Sequence, residues 1–144
     1  LDAVVLAVAG LTRLGIDPAL WSPIPPEVCL PAPGQGAVAI ETRAEDGPTR
    51  GLVEALDHAA TAKAAIAERA FLAALGAGCL APAGALARIE GDRLLLEAVV
   101  ATTDGSRCLR ESRAGSPADP AALGWAVAEE ILAAGGDEIV RASR

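Results

Sequence analysis

The sequence predicts two architectures in succession: the end of an α/β unit, then a small α+β domain in which helices cover a three-stranded antiparallel sheet. Three observations carry this. Leu1 to Gly10 is almost continuously apolar and includes β-branched residues. Prolines then crowd the stretch from Pro18 to Pro33, at Pro18, Pro23, Pro25, Pro26, Pro31 and Pro33. From residue 59 to 144 the patterns run helix, strand, strand, strand, helix.

Taken in order, Leu1-Asp2-Ala3-Val4-Val5-Leu6-Ala7-Val8-Ala9-Gly10 reads as a strand buried on both faces of a parallel sheet. Such a strand needs neighbours, and no initiating Met precedes it, so the chain is expected to be a fragment of a longer protein. Ligands of open parallel sheets bind beyond the carboxyl ends of strands, here Gly10 to Gly15, where Arg13 is the one charge. Pro18 to Pro33 is an extended or turning connector, because proline disfavours helix both at and before its own position. Gly34-Gln35-Gly36-Ala37-Val38-Ala39-Ile40-Glu41 reads as a glycine turn and a short strand. Its glycines can offer backbone N–H groups to an anion, although it lacks the full dinucleotide fingerprint. Thr49 to Leu56 reads as a short helix.

Asp57 is positioned to cap the next helix, Ala59 to Leu75, whose alanines give high intrinsic helicity. Three strand-like runs follow, Ala85 to Ile89, Leu94 to Thr102 and Arg107 to Ser112, separated by the turns Gly91-Asp92 and Asp104-Gly105. Asp119 and Pro120 supply an N-cap and a first-turn proline, and Gly135-Gly136 closes that helix. Leu123, Val127, Ile131 and Ala134 share one face, spaced to cover a sheet.

Composition narrows the function classes. The 144 residues are 52% hydrophobic but 2% aromatic, without Met or Tyr, so the core must be built from Ala, Leu, Val and Ile. No apolar run is long enough to span a bilayer, and Leu1 to Gly10 lacks the basic start of a signal peptide. Cys29, Cys79 and Cys108 are odd in number and irregular in spacing, which argues against a disulfide framework and for the reducing cytoplasm. No Cys-x-x-Cys pair occurs and His58 is the single histidine, so no zinc or other metal site is expected. The net charge of −7 argues against nucleic acid or an anionic membrane as partner. Of 12 basic residues all but Lys63 are arginine, a fork that grips carboxylates with two bonds.

The sharpest chemical signal is Cys79 in Gly76-Ala77-Gly78-Cys79-Leu80-Ala81-Pro82-Ala83-Gly84, straight after a helical run. One reading is a helix end with a small buried cysteine. The other is a thiol that small neighbours leave open to a large group, with Pro82 stiffening the exit.

Four segments decide between them: Leu6-Ala7-Val8-Ala9-Gly10-Leu11-Thr12-Arg13-Leu14-Gly15, Leu30-Pro31-Ala32-Pro33-Gly34-Gln35-Gly36-Ala37, Ala67-Glu68-Arg69-Ala70-Phe71-Leu72, and Gly78-Cys79-Leu80-Ala81-Pro82-Ala83-Gly84. In order and separation they resemble the C-terminal portion of the hydroxymethylbilane synthase family, also called porphobilinogen deaminase. The resemblance covers essentially the whole chain, and about the last half of a family member. It implies a periplasmic-binding-protein-like pair of α/β domains followed by an α+β domain. Residues 1–33 would end the second α/β domain, 34–58 would return to the first, and 59–144 would be the cofactor-anchoring α+β domain.

The family is a transferase of porphyrin and heme biosynthesis that joins four porphobilinogen molecules, releasing ammonia at each step, on a dipyrromethane primer held by a thioether. The resemblance matches Cys79 to the cysteine of that thioether. It matches Arg13 to an arginine that binds the acetate and propionate groups, Arg69 to a further carboxylate-binding arginine, and Gln35 and Gly36 to the turn facing the cofactor. It places the catalytic aspartate upstream, so no residue here is assigned a catalytic role and the isolated chain is expected to be inactive. Glu41, Glu68 and Asp57 are read as solvated or capping carboxylates. The full-length protein is expected to be a cytoplasmic monomer. Ala77 departs from the family's usual glycine, at a cost of about 1 kcal/mol if that position needs positive φ. Ala83 is smaller than the usual aliphatic residue.

A stand-alone module that binds a small ligand or a partner through the α-β-β-β-α unit is the alternative of another class. A thiol enzyme pairing Cys79 with His58 ranks last, because the intervening helix separates them by roughly 25 Å.

Overall fold

The structure is a computed structural model and describes residues 2–76 and 81–142. Its centre is β2, Arg93–Ala101, whose alternation sends Leu94, Leu96, Ala98 and Val100 to one face, all fully buried. Leu95, Glu97 and Val99 face the other way and are half-buried. The flanking strands β1, Ala83–Glu90, and β3, Cys108–Gly115, both pair antiparallel to it. Gly91, at φ +61°, makes the tight turn between β1 and β2, as its Gly-Asp pair predicts. The β2–β3 connection is longer, with Gly105 at φ +72° and the Asp104 carboxylate accepting from the Ser106 N–H at 3.0 Å.

Helices α3, Ala59–Ala74, and α4, Pro120–Ile131, pack on each other and cover the apolar face of the sheet. Phe71, the chain's single Phe, is fully buried between them and the strands, with Val127 and Ile131 opposite. Asp119 caps α4 as expected, accepting from the Ala122 N–H at 3.2 Å, with Pro120 at the first position. The cap of α3 is His58 rather than Asp57: its Nδ1 accepts from the Thr61 N–H at 3.3 Å and pairs with the Thr61 hydroxyl at 2.8 Å. Leu123, Val127 and Ile131 form the buried face of α4, but Ala134 is exposed. The reason is a wide turn over Leu132–Gly136, in which Gly135 adopts φ +96° and breaks the helical period. That turn does not end the domain. It redirects the chain into α5, Asp137–Ala142, which adds Ile139 and Val140 to the core.

The expected parallel strand at Leu1 to Gly10 is absent over its described residues. Residues 2–7 form no strand, and α1, Val8–Arg13, takes up its end. Val4 and Val5 are 70% and 77% exposed. A strand draws its stability from cross-strand bonds, and no strand of the described residues lies beside this one. A helical turn satisfies its own carbonyls locally and can form without a partner. The strand expected after Gly36 is missing for the same reason, leaving Val38 92% exposed. The short helix α2, Gly47–Glu54, forms two residues earlier than expected, capped by Asp46 accepting from the Thr49 N–H at 3.1 Å. The described residues thus form an α+β fold, a three-stranded antiparallel sheet covered by helices.

Candidate functional site

Within residues 2–56 one side chain is buried, Leu30 at 7% exposure, and it marks where the connector docks on the sheet. Burial of a leucine contributes about 2 kcal/mol. Two further attachments hold the connector. The Pro31 carbonyl accepts from the Ala85 N–H at 2.9 Å, extending the edge of β1. From the outer face of the sheet, Arg110 donates to the carbonyls of Glu27 at 2.7 Å and Pro26 at 3.1 Å. Glu97 orients that guanidinium at 2.9 Å and holds Arg88 at 2.7 Å on its other side. These hydrogen bonds, from Arg110 first and then Arg88, hold the Glu97 carboxyl below its usual pKa. Gly84 lets the connector lie close to β1, since a Cβ there would sit 3.0 Å from the Leu30 carbonyl and 3.1 Å from that of Pro31.

The docked connector delivers the glycine turn to α3. Gly34 and Gly36 adopt φ +78° and +88°, conformations that other residues rarely take. The turn closes on itself through the Gln35 N–H to the Ala32 carbonyl at 3.0 Å, while the Gln35 side-chain oxygen accepts from the Ala32 N–H at 3.3 Å. Its link to α3 is Glu68. One carboxylate oxygen of Glu68 accepts from the Gly34 N–H at 2.6 Å, and the other from the Ala87 N–H of β1 at 2.7 Å. Glu68 is 6% exposed, and burial raises its pKa against the opposing pull of those two donors. The reading of Glu68 as solvated or capping is therefore wrong. A buried carboxylate needs donors, and here two backbone segments supply them.

The other expected site residues are placed as follows. Arg13 is the last residue of α1 and exposed, so it lies at the end of a helix and not beyond a strand. Gln35 is exposed, and a Cβ built on Gly36 would meet nothing within 4 Å, so the turn has open space on its outer side. Arg69 follows Glu68 on α3 and points to the exposed side. Among the described residues no hydrogen bond or ion pair joins Arg13 to Gln35, Gly36 or Arg69. Cys79 lies outside the described residues. Cys29 and Cys108 are free and exposed.

Sequence reasoning missed two residues that shape this region. Glu68 had a signal: it shares a helical face with Ala64, Phe71 and Leu75, so a charge was entering an apolar stripe. Arg110 had none, because its carbonyl partners are 83 and 84 residues away.

Two family descriptions match this chain. "Porphobilinogen deaminase, C-terminal domain" matches residues 62–133, and "Porphobilinogen deaminase, dipyromethane cofactor binding domain" matches residues 1–51. The porphobilinogen deaminase of Pelotomaculum thermopropionicum is 47% identical over 144 residues, 100% of this chain and 46% of the relative. That of Roseiflexus castenholzii is 49% identical over 139 residues, 96% of this chain and 46% of the relative. That of Moorella thermoacetica is 48% identical over 141 residues, 98% of this chain and 45% of the relative. The chain thus spans about half the length of the curated relatives it matches.

Proposed function

We propose, from the premise that this chain belongs to the porphobilinogen deaminase family, that it supplies the cofactor anchor and part of the carboxylate-binding surface of a hydroxymethylbilane synthase. In this reading residues 1–33 and 34–58 contribute to two α/β domains of periplasmic-binding-protein type, and 59–144 form the anchoring domain. The apolar side chains left exposed in residues 2–56, among them Val5, Leu14, Leu20 and Val38, suit segments that pack into larger units. The protein acts in the cytoplasm as a monomer on a small-molecule substrate, without nucleic acid or membrane.

The observation that carries the reading is the bond from Gly34 to Glu68. It sets the glycine turn beside the helix whose next segment holds Cys79. The described residues fit an anionic dipyrromethane. The turn is open at Gly36, Arg13 and Arg69 are exposed, and the carboxylate touching the turn has both oxygens engaged by N–H donors. Dipyrromethane, when bound, supplies the primer to which porphobilinogen units are added. Cys79 would hold it: the thiol gives up its proton, sulfur forms one bond to a pyrrole methylene carbon, and the carbon–nitrogen bond breaks to release ammonia. Arg13 binds acetate and propionate groups, with Arg69 as a second carboxylate contact. Gln35 and Gly36 form the facing wall. No catalytic group is assigned to this chain, and the 144 residues alone should not turn over.

Intact-mass measurement tests the anchor in the protein extended to the length of its relatives. The adduct should be lost in Cys79→Ser and kept in Cys29→Ser and Cys108→Ser. An adduct retained by Cys79→Ser would end the reading. Arg13→Leu in the same background should slow elongation about tenfold or more, as expected for a charged contact worth about 1.5 to 3 kcal/mol.

A further inference from the structure

Glu68 takes no part in the chemistry just described, yet it is the buried carboxylate that joins three elements. It rises from α3, accepts from the Gly34 N–H at 2.6 Å, and accepts from the Ala87 N–H of β1 at 2.7 Å. We infer that Glu68 is a positioning residue, a pin that holds the Gly34–Gly36 turn in place against α3 and β1 and so sets the wall facing the cofactor. The importance of that wall rests on the proposed function, whereas the pin itself does not.

Three features argue for a specific pin. Both partners are donors, so the position needs an acceptor at each of two oxygens. A carboxylate provides this and an amide of the same size does not. The connector upstream has its own attachments, Ala85 to Pro31 and Arg110 to Pro26 and Glu27, none of which involves Glu68. The turn's remaining hydrogen bonds run among Ala32, Gly34, Gln35 and Ala37, and they shape it without fixing where it sits. Removing the carboxylate should therefore free the turn while the connector and sheet stay docked.

Amide exchange by NMR on the 144-residue chain tests this. In Glu68→Gln the Gly34 N–H should exchange at least tenfold faster, while Ala85, Leu94 and Leu96 keep their protection. Unchanged exchange at Gly34 in the folded variant would overturn the pin. Should Glu68→Gln fail to fold, the unmutated chain still decides. The Glu68 side-chain carboxyl carbon and the Gly34 amide should titrate with one shared midpoint, and a Gly34 amide indifferent to that titration would overturn it. In the extended protein carrying its cofactor, Glu68→Gln should keep the adduct mass and lower kcat about tenfold with KM within twofold. An unchanged kcat would refute the positioning role. Cys79→Ser should leave Gly34 exchange unaltered, so a failed anchor and a failed pin are read separately.

Discussion

Gly124 of α4 lies against the Ala67 carbonyl of α3 so closely that a Cβ on Gly124 would sit 2.3 Å from that oxygen and 2.8 Å from the Ala70 Cβ. The two helices meet backbone to backbone there, and Phe71 is buried one residue beyond Ala70 along α3. Gly124→Ala should gain up to about 1 kcal/mol of helix propensity and lose more than that by forcing the helices apart. The net expectation is a loss of about 2 kcal/mol. Urea unfolding measures it, and a variant as stable as the parent would show that the helices do not approach this closely.

Gly84→Ala should act more locally. Its new methyl would meet two backbone carbonyls, of Leu30 and Pro31, at 3.0 and 3.1 Å, and backbone yields less readily than a side chain. The expected result is release of the connector, with faster exchange at the Ala85 N–H and a loss of about 1 to 2 kcal/mol. Protection at Leu94 and Leu96 should persist. Unfolding of the whole sheet at the same rate as the connector would contradict this division.

The acid limb of stability should be set by carboxylates held below their usual range. Glu97 is held down by Arg110 and Arg88 from its ordinary 4.5. Asp104 is held at about 2 by hydrogen bonds from Thr102 and Ser106, and Asp46 is lowered by Thr49. Groups of this sign contribute above their unfolded pKa and lose the contribution as pH falls through the folded value. Glu68 has the opposite sign: burial raises its pKa from 4.5, so its contribution is present below that value and fades as pH rises through the raised one. Urea midpoints from pH 2 to 7 should fall on acidification, less steeply in Glu97→Gln. The change should be about 1 kcal/mol or less, because the arginines are partly exposed. Identical slopes for Glu97→Gln and the parent would remove Glu97 from the account.

Hydrogen exchange along the 144-residue chain should divide at the docked connector. Leu94 to Val100 and Leu123 to Ile131 should be strongly protected, since they line the core. Residues 2–7 and 38–43 should exchange freely, with Gly34 as a protected exception between them. Strong protection of residues 2–7 in the monomer would mean that they have partners within the chain.

The α-β-β-β-α order was legible because each element there carries its own signal. β2 alternates, Gly91-Asp92 marks a two-residue turn, and Asp119-Pro120 announces α4. The four motifs likewise led to the porphobilinogen deaminase family from residue identity alone. The candidate site was less legible. The roles of Arg13, Gln35, Gly36 and Arg69 come from resemblance, whereas Glu68 looks like a solvated charge unless its place on the Phe71 face is weighed.

By itself, the sequence determined what depends on near neighbours: where α3 and α4 begin, turn glycines, strand alternation and the identity of the family. Tertiary structure decided the rest. Leu1 to Gly10 has the composition of a buried strand, but a strand exists only where another chain segment accepts its hydrogen bonds, and none of the described strands does so. Glu68 has the composition of a surface residue. It is buried where Gly34 and Ala87, far from it in sequence, bring two N–H groups to its oxygens, and those donors offset part of the cost of taking a carboxylate out of water.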